Sequence, residues 1–264
     1  MPLQDAPRVG RARGGSSFRS DQAVEGLRRI QKTSELVAMQ IVEDIVAQGL
    51  APGDRLPLEA AMVTQYRVSR ASLREALRLL EVQGLISLRP GRGGGPAVGR
   101  VEPGYLARTA TLFFHLAGTT YEELFLAHLE LEVEAAAMAA RNPDRELVRE
   151  LLSPYVGDVR PTDDRSYESH WREFHRAVLD ASGNRVVELL TNALSHIVRT
   201  HVLATMEPVH MREEIVAEHG QLARAIIAGN VARAMDLTDR HLRTQLDFYR
   251  RQWADHLRRP IDWR

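Results

Sequence analysis

The chain has no cysteine, which excludes disulfides and thiolate metal sites and fits a reducing compartment. No apolar run approaches the ~20 residues that a bilayer-spanning helix needs, so no membrane segment is expected. The first residues carry arginines without the apolar core of a signal peptide; no export is expected, and the expected location is the cytoplasm. Lysine is almost missing, Lys32 being the only one, and aromatic residues make up only 6% of the 264. Hydrophobic residues reach 44% all the same, which suits an Ala/Leu-rich helical protein with an ample core. The length allows one large domain or two ordinary ones. An excess of charge of one sign is missing too, since 35 Lys+Arg balance 35 Asp+Glu.

Balance over the whole chain hides an uneven distribution. Residues 1–101 hold 15 Arg/Lys against 10 Asp/Glu, and residues 102–264 hold 20 against 25. A basic, nucleic-acid-facing module followed by an acidic partner module is the expectation. Within the basic part, residues 1–33 read as a flexible arm with Arg8, Arg11, Arg13 and Arg19, plus a short, weakly helical stretch over 21–31. From Ser34 the helical pattern strengthens through Leu36, Val37, Ile41, Ile45 and Val46 until Gly49 stops it. Pro52-Gly53 marks a turn, and a second helix is expected over about 58–65.

Ser69 then stands as an N-cap, because its hydroxyl can accept from free amides at the start of the next helix. That helix buries Leu73, Ala76, Leu77 and Leu80 and ends at Gly84. Arg70 and Arg74 lie one turn apart, off the apolar face and near the N-terminus. In helix-turn-helix docking that end enters the major groove, where Arg can fork onto guanine or clamp a phosphate. The alternative is a solvated face with Arg74 paired to Glu75 or Glu81. Residues 85–88 make a short strand, 89–96 a Gly/Pro/Arg loop, and Ala97-Val98 begin the returning strand. This is the pattern of a β-wing, with glycines for close approach and Arg89 and Arg92 for phosphates. A nucleotide phosphate cradle is discounted, since the loop lacks a G-K-[ST] ending and opens no helix.

The run L-x-P-G-x-x-L-P-x-E, then V-S-R-x-x-L-R-E-A-L-x-x-L-E-x-x-G-L-I-x-x-x-P-G-R-G-G, resembles the winged-helix domain of GntR-type bacterial transcription regulators over roughly residues 34–100. The resemblance implies DNA contacts at Ser69, Arg70, Ser72, Arg74, Gly91 and Arg92. Arg67 departs from it, standing where many relatives have glycine at the turn.

After Pro103-Gly104 every segment reads helical, near 105–117, 121–141, 144–153, 163–181, 185–205, 209–228 and 230–254, with 255–264 as a tail. The fold class expected is therefore mostly α. A winged helix-turn-helix domain of three helices and a small β-wing spans 34–101, and an all-α bundle, to which the family resemblance implies ligand binding and dimerisation, spans 102–254. Its position behind the DNA module resembles the effector domain of the FadR subfamily. His175, His219 and His241 fall where the helical period points inward on three helices, so they could meet around a divalent metal. A hydrogen-bonded core histidine is the alternative for each taken singly. Phe174-His175, Glu218-His219 and His241-Leu242 resemble the subfamily's metal-histidine segments, which implies Zn, Ni or Mn there.

Two departures bear on this. Trp171 stands where metal-binding relatives commonly supply Asp, and His128 where relatives often carry an Arg that pairs with an effector carboxylate. Whether three imidazoles hold a metal alone is left open, and a His grips a carboxylate less firmly than an Arg fork. Asn192, His196 and His201 could line the same effector pocket as His128. His170 and His210, near helix starts, and His256, in the tail, are expected to be exposed.

The function expected is a sequence-specific DNA-binding regulator, a repressor acting as a homodimer on an inverted repeat of double-stranded DNA and controlled by a small metabolite. The rival is a metal-dependent enzyme built on the same histidines, but the sequence has neither H-E-x-x-H nor a Ser or Cys nucleophile setting. A sequence-tolerant, nucleoid-type DNA binder is a third reading.

Overall fold

A computed structural model describes residues 17–89, 91, 94–157, 163–203 and 211–263. The arm arginines at 8, 11 and 13, together with Arg92 and His210, lie outside them. Contacts divide the chain into two compact units, 1–101 and 102–264.

The first unit contains α1 (Ser17–Ala47), α2 (Glu59–Tyr66), α3 (Arg70–Val82), β1 (Ile86–Arg89) and β2 (Gly95–Val98). The weak pattern over 21–31 and the strong one from Ser34 form a single helix, so the expected division between arm and domain at 33 falls inside α1. Nothing breaks the backbone there: residues 17–47 contain neither proline nor glycine apart from Gly26. Val37 and Ile41 of α1 close over Met62, Leu73, Leu77, Leu80 and Ile86, each 3% exposed or less. Helix α3 is specified twice, by Ser69 Oγ accepting from the Ser72 N–H at 3.1 Å and by an apolar face that repeats every three to four residues.

The wing is an antiparallel pair in the register Ile86↔Val98, Ser87↔Ala97, Leu88↔Pro96 and Arg89↔Gly95. Its strands therefore run further toward the tip than the sequence pattern indicated, because the alternation there is too brief to read. The other edge of β2 is also used. The Gly53 N–H donates to Val98 O at 2.9 Å, and the Val98 N–H donates to Asp54 O at 2.8 Å.

Arg67, between α2 and α3, has φ 53° and is the only non-glycine residue with positive φ among the described residues. A Cβ in this left-handed region crowds the following carbonyl. Arg67→Gly is therefore expected to stabilise the winged unit by about 0.5–1 kcal/mol, after allowing for the extra freedom glycine gives the unfolded chain. Urea unfolding of the two proteins measures this, and an equal or lower midpoint for the variant would contradict it.

The second unit contains α4 (Pro103–Ala117), α5 (Tyr121–Arg141), α6 (Arg145–Leu152), α7 (Asp164–Ala181), α8 (Arg185–Val198), α9 (Arg212–Ile227), α10 (Val231–Gln252) and the short α11 (Ala254–Leu257). After Val198 the chain continues as a π-helical turn, Arg199–Leu203. Helix α5 begins with a capping box in which Thr120 and Glu123 satisfy each other's backbone N–H groups. Its alanines 135, 136, 137 and 139 are fully buried, which lets neighbouring helices approach it closely. The half-buried Arg145 ties two helix ends together, donating to Ala140 O and Asn142 O at the end of α5 and to Ile226 O and Ile227 O at the end of α9.

The expected tail is instead part of the fold. Pro260 pairs with Thr120, the Ile261 N–H donates to Thr119 O at 2.8 Å, and the Ile261 side chain is fully buried. His256 is half-buried and stacked on Tyr121 with ring centroids 4.8 Å apart, rather than solvent-facing. No helix among the described residues is long and apolar enough to cross a membrane.

Candidate functional site

Helices α7, α9 and α10 bring His175, His219 and His241 together. One donor nitrogen from each lies within 4.8 Å of the others, and their exposures are 4%, 0% and 2%. The inward period of each helix accounts for the burial, and the surroundings account for the orientation. His175 Nδ1 lies 3.2 Å from Glu132 Oε2, His219 Nδ1 lies 3.3 Å from His170 Nε2, and His241 Nδ1 lies 2.6 Å from Glu218 Oε2. Every Nδ1 is thus engaged, and the Nε2 atoms of His175 and His219 have no protein partner. His241 Nε2 accepts from the Gln245 amide at 2.9 Å.

An imidazole whose Nδ1 is held by an outer partner presents Nε2 as a metal ligand, as in carboxylate–histidine–metal arrangements. Orphaned buried nitrogens are otherwise costly, which favours a ligand at this point. Burial, and then the neighbouring His241, His175 and His170, push His219 well below its ordinary pKa, so it is neutral and has a lone pair to give. Burial also lowers His241, against the opposing pull of Glu218. Glu132 is 1% exposed; burial alone would raise its pKa, but His175 and His128 together hold it below the ordinary carboxylate range, as an ionised acceptor. The donor set fits a divalent metal of the borderline class.

The two departures have definite structural outcomes. Trp171 is 7% exposed and its ring centre is 4.8 Å from that of His175, so an indole with no lone pair to offer borders the cluster where a carboxylate would supply one. His128 is buried with Nε2 3.3 Å from Glu132 Oε1, at an angle too poor for a hydrogen bond. It faces an acid of the protein itself. His170 is 8% exposed and bonded to His219, which corrects the expectation of exposure. Asn192 is half-buried on α8. His196 and His201 line a separate cavity whose walls contain none of the three clustered histidines, so the single effector pocket anticipated from the sequence is divided.

Sequence reasoning missed the outer partners Glu132, His170 and Glu218, and Gln245 at the inner nitrogen of His241. Glu132 was accessible in principle, since it lies one turn after His128 on the same inward face.

In the winged unit Ser69, Arg70 and Arg74 are exposed at the start of α3. Arg74 Nε donates to Glu59 Oε2 of α2 at 3.1 Å, a partner other than Glu75 or Glu81. Ser72 is 5% exposed with its hydroxyl 3.0 Å from that of Ser69, so it faces inward and braces the cap. Gly91 is exposed at the wing tip with φ 98°.

Residues 33–94 match the bacterial regulatory proteins of the gntR family, and residues 123–244 match the FCD domain. The chain belongs to the GntR family of transcriptional regulators. Its C-terminal bundle is the FCD effector-binding domain, consistent with the FadR subfamily. The regulator is 25% identical to the HTH-type transcriptional regulator LutR of Bacillus subtilis over 193 residues, 70% of this chain and 86% of that protein. It is 24% identical to the HTH-type transcriptional repressor NanR of Cronobacter sakazakii over 230 residues, 84% of this chain and 86% of the other. A solved GntR structure from Streptococcus agalactiae shares its fold with TM-score 0.59 at 20% identity, covering 80% of the regulator and 98% of that chain. The comparisons give no support to the alternative of a metal-dependent enzyme.

Proposed function

We propose that the regulator is a homodimeric repressor that reads an inverted-repeat operator. Ser69, Arg70 and Arg74, with Gly91 and Arg92 of the wing, contact the DNA, and a small carboxylate-bearing metabolite bound with a divalent metal controls operator affinity. The observation that carries the control mechanism is the buried cluster on α7, α9 and α10, in which all three Nδ1 atoms are engaged while two Nε2 atoms are left over. His175, His219 and His241 would hold the metal, and a bound Zn, Ni or Mn supplies a Lewis-acidic pole for an anionic group. His128 and Glu132 border this site and set its polarity. A metabolite shifts operator affinity only by the difference between its affinities for the two domain arrangements. Repression is also in keeping with the name of the NanR relative.

Support for the dimer comes from α4 and α8, which pack on each other. Helix α4 exposes Leu112, Phe113 and Leu116, and α8 exposes Val186 and Leu190; Leu116 is 84% exposed. An apolar stripe of this kind is ordinarily covered by another surface. The double variant Phe113→Glu/Leu116→Glu is expected to sediment as a monomer. It should also lose at least about tenfold in operator affinity, because each half-site must then be bound singly. A dimer with unchanged affinity would place the interface elsewhere. Sites bound across the genome supply the operator for this measurement, and weak sequence preference among them would favour the nucleoid-type reading.

A further inference from the structure

The second unit contains another site that the histidine cluster does not account for. A cavity of about 380 Å³ lies against the first turns of α4, lined by Glu102, Tyr105 and Arg108, by His196 and His201 from the end of α8 and its π-turn, and by Trp263. Its volume is within the range of ordinary small-molecule pockets. We infer that this cavity is a second ligand site, taking a small monocarboxylate with a flat apolar body.

The polar end is set by the two imidazoles. Arg199 Nη2 lies 3.4 Å from His196 Nδ1, and a guanidinium can only donate, so Nδ1 accepts and the proton sits on Nε2. Tyr121 Oη accepts from the Asp262 N–H at 3.1 Å and lies 3.2 Å from His201 Nδ1; its buried hydrogen has no other acceptor among the described residues, so that nitrogen takes it. This again leaves the proton on Nε2. Burial pushes both histidines below their ordinary pKa, helped at His196 by Arg199 and His201 and opposed at His201 by Asp262. Both rings therefore present neutral N–H donors, and neither Nε2 has a hydrogen-bond partner among the described residues.

Charge selects the ligand further. Behind the walls Arg199 beside His196 and Asp262 beside His201 offset each other, so on the lining the Arg108 guanidinium with the two imidazole N–H groups meets one carboxylate, while Glu102 faces any second anionic group. The body of the ligand meets rings. Arg108 lies 5.8 Å from the Tyr105 ring centre, and Trp263, at the edge of the cavity, is 51% exposed with no ring partner among the described residues. Gly104 lets α4 start close to this wall, since a β-carbon there would lie 3.4 Å from the His196 ring. The walls begin at Glu102, the residue after the last of the winged unit. A ligand here would restrain the first turn of the helix to which that unit is covalently tied.

The test is titration calorimetry on the full-length protein with benzoate, acetate and inorganic phosphate as probes. Benzoate is expected to bind at least about tenfold more tightly than acetate or phosphate, the equivalent of one well-made contact. Arg108→Ala, His201→Ala and Trp263→Ala should each weaken benzoate by about three- to tenfold, loss of one polar contact or ring face being of that size. Arg108 and Trp263 are exposed, so those variants keep their fold, which circular dichroism checks. His201→Gln retains a side-chain N–H and should bind better than His201→Ala. His219→Gln, in the other cluster, should leave the benzoate binding that depends on Arg108 unchanged. The inference is overturned by absent benzoate binding, by phosphate binding as tightly, or by benzoate binding that His219→Gln removes and Arg108→Ala spares.

Discussion

Arg70→Ala/Arg74→Ala is expected to lower operator affinity by about 10²–10⁴-fold, at ~1–3 kcal/mol for each side chain that meets a base. Both guanidiniums are exposed at the N-terminal end of α3, while the opposite face of that helix is locked into the core by Leu73, Ala76, Leu77 and Leu80. Removing them costs the fold little, so the unfolding midpoint and dimer mass should stay within error. If the two residues also neutralise phosphates, the slope of affinity against salt should fall by about 1 for each lost contact. Arg74 carries a further signature because Glu59 holds it at 3.1 Å in the free protein. The pair is exposed on both sides, with Arg74 at 71% and Glu59 at 44%, and is worth little on its own. Glu59→Gln should free Arg74 and tighten operator binding by about two- to fivefold, the fold-change of a surface ion pair. Full operator affinity in the double variant would remove α3 from the interface. A gel-shift titration at two salt concentrations separates these outcomes.

What the sequence made legible follows from how local each signal is. The winged unit is written in short-range pattern: Ser69 three residues before the amide it caps, leucines at helical spacing, Gly84 ending α3 with φ 71°. The wing strands were read short because four residues are too few for alternation to show, and their register is set across the hairpin rather than along it. In the bundle, burial of the three clustered histidines was visible as helical period. Their mutual approach depends on how three helices pack, which no single helix encodes. His170 illustrates the limit. It lies within the first two turns of α7, where a sequence argument places it at the surface, yet the packing of α9 against those turns makes it the partner of His219. The tail was misread for the same reason, since Ile261 is buried by residues about 140 positions earlier in the chain.

The sharpest test of the histidine cluster uses the residue that departs from the family pattern. Purified without chelator or nickel resin, the protein is expected to contain stoichiometric Zn, Ni or Mn, and His219→Ala should abolish it, because two imidazoles are too few for a tight site. Loss of an outer partner is milder: Glu132→Gln and Glu218→Gln should each weaken metal binding by about 10–100-fold, since they fix the tautomers of His175 and His241. Trp171→Asp should act in two opposed ways. Without metal, removing a nearly buried indole and adding an acid destabilises the bundle by about 3–5 kcal/mol. With zinc, the new carboxylate completes a four-ligand set, so stabilisation by added metal should exceed that of the wild type. A metal at 1,000 times its dissociation constant contributes about 4 kcal/mol, and a tenfold gain in affinity adds a further ~1.4 kcal/mol at the same concentration. Thermal melts of both proteins, with and without zinc, therefore have a specific order. The apo variant lies lowest, and its zinc shift is the larger of the two. Equal shifts would mean that position 171 does not face the metal. No shift in either protein, together with no metal by elemental analysis, would reduce the cluster to hydrogen-bonded core histidines and leave the effector to be bound without one.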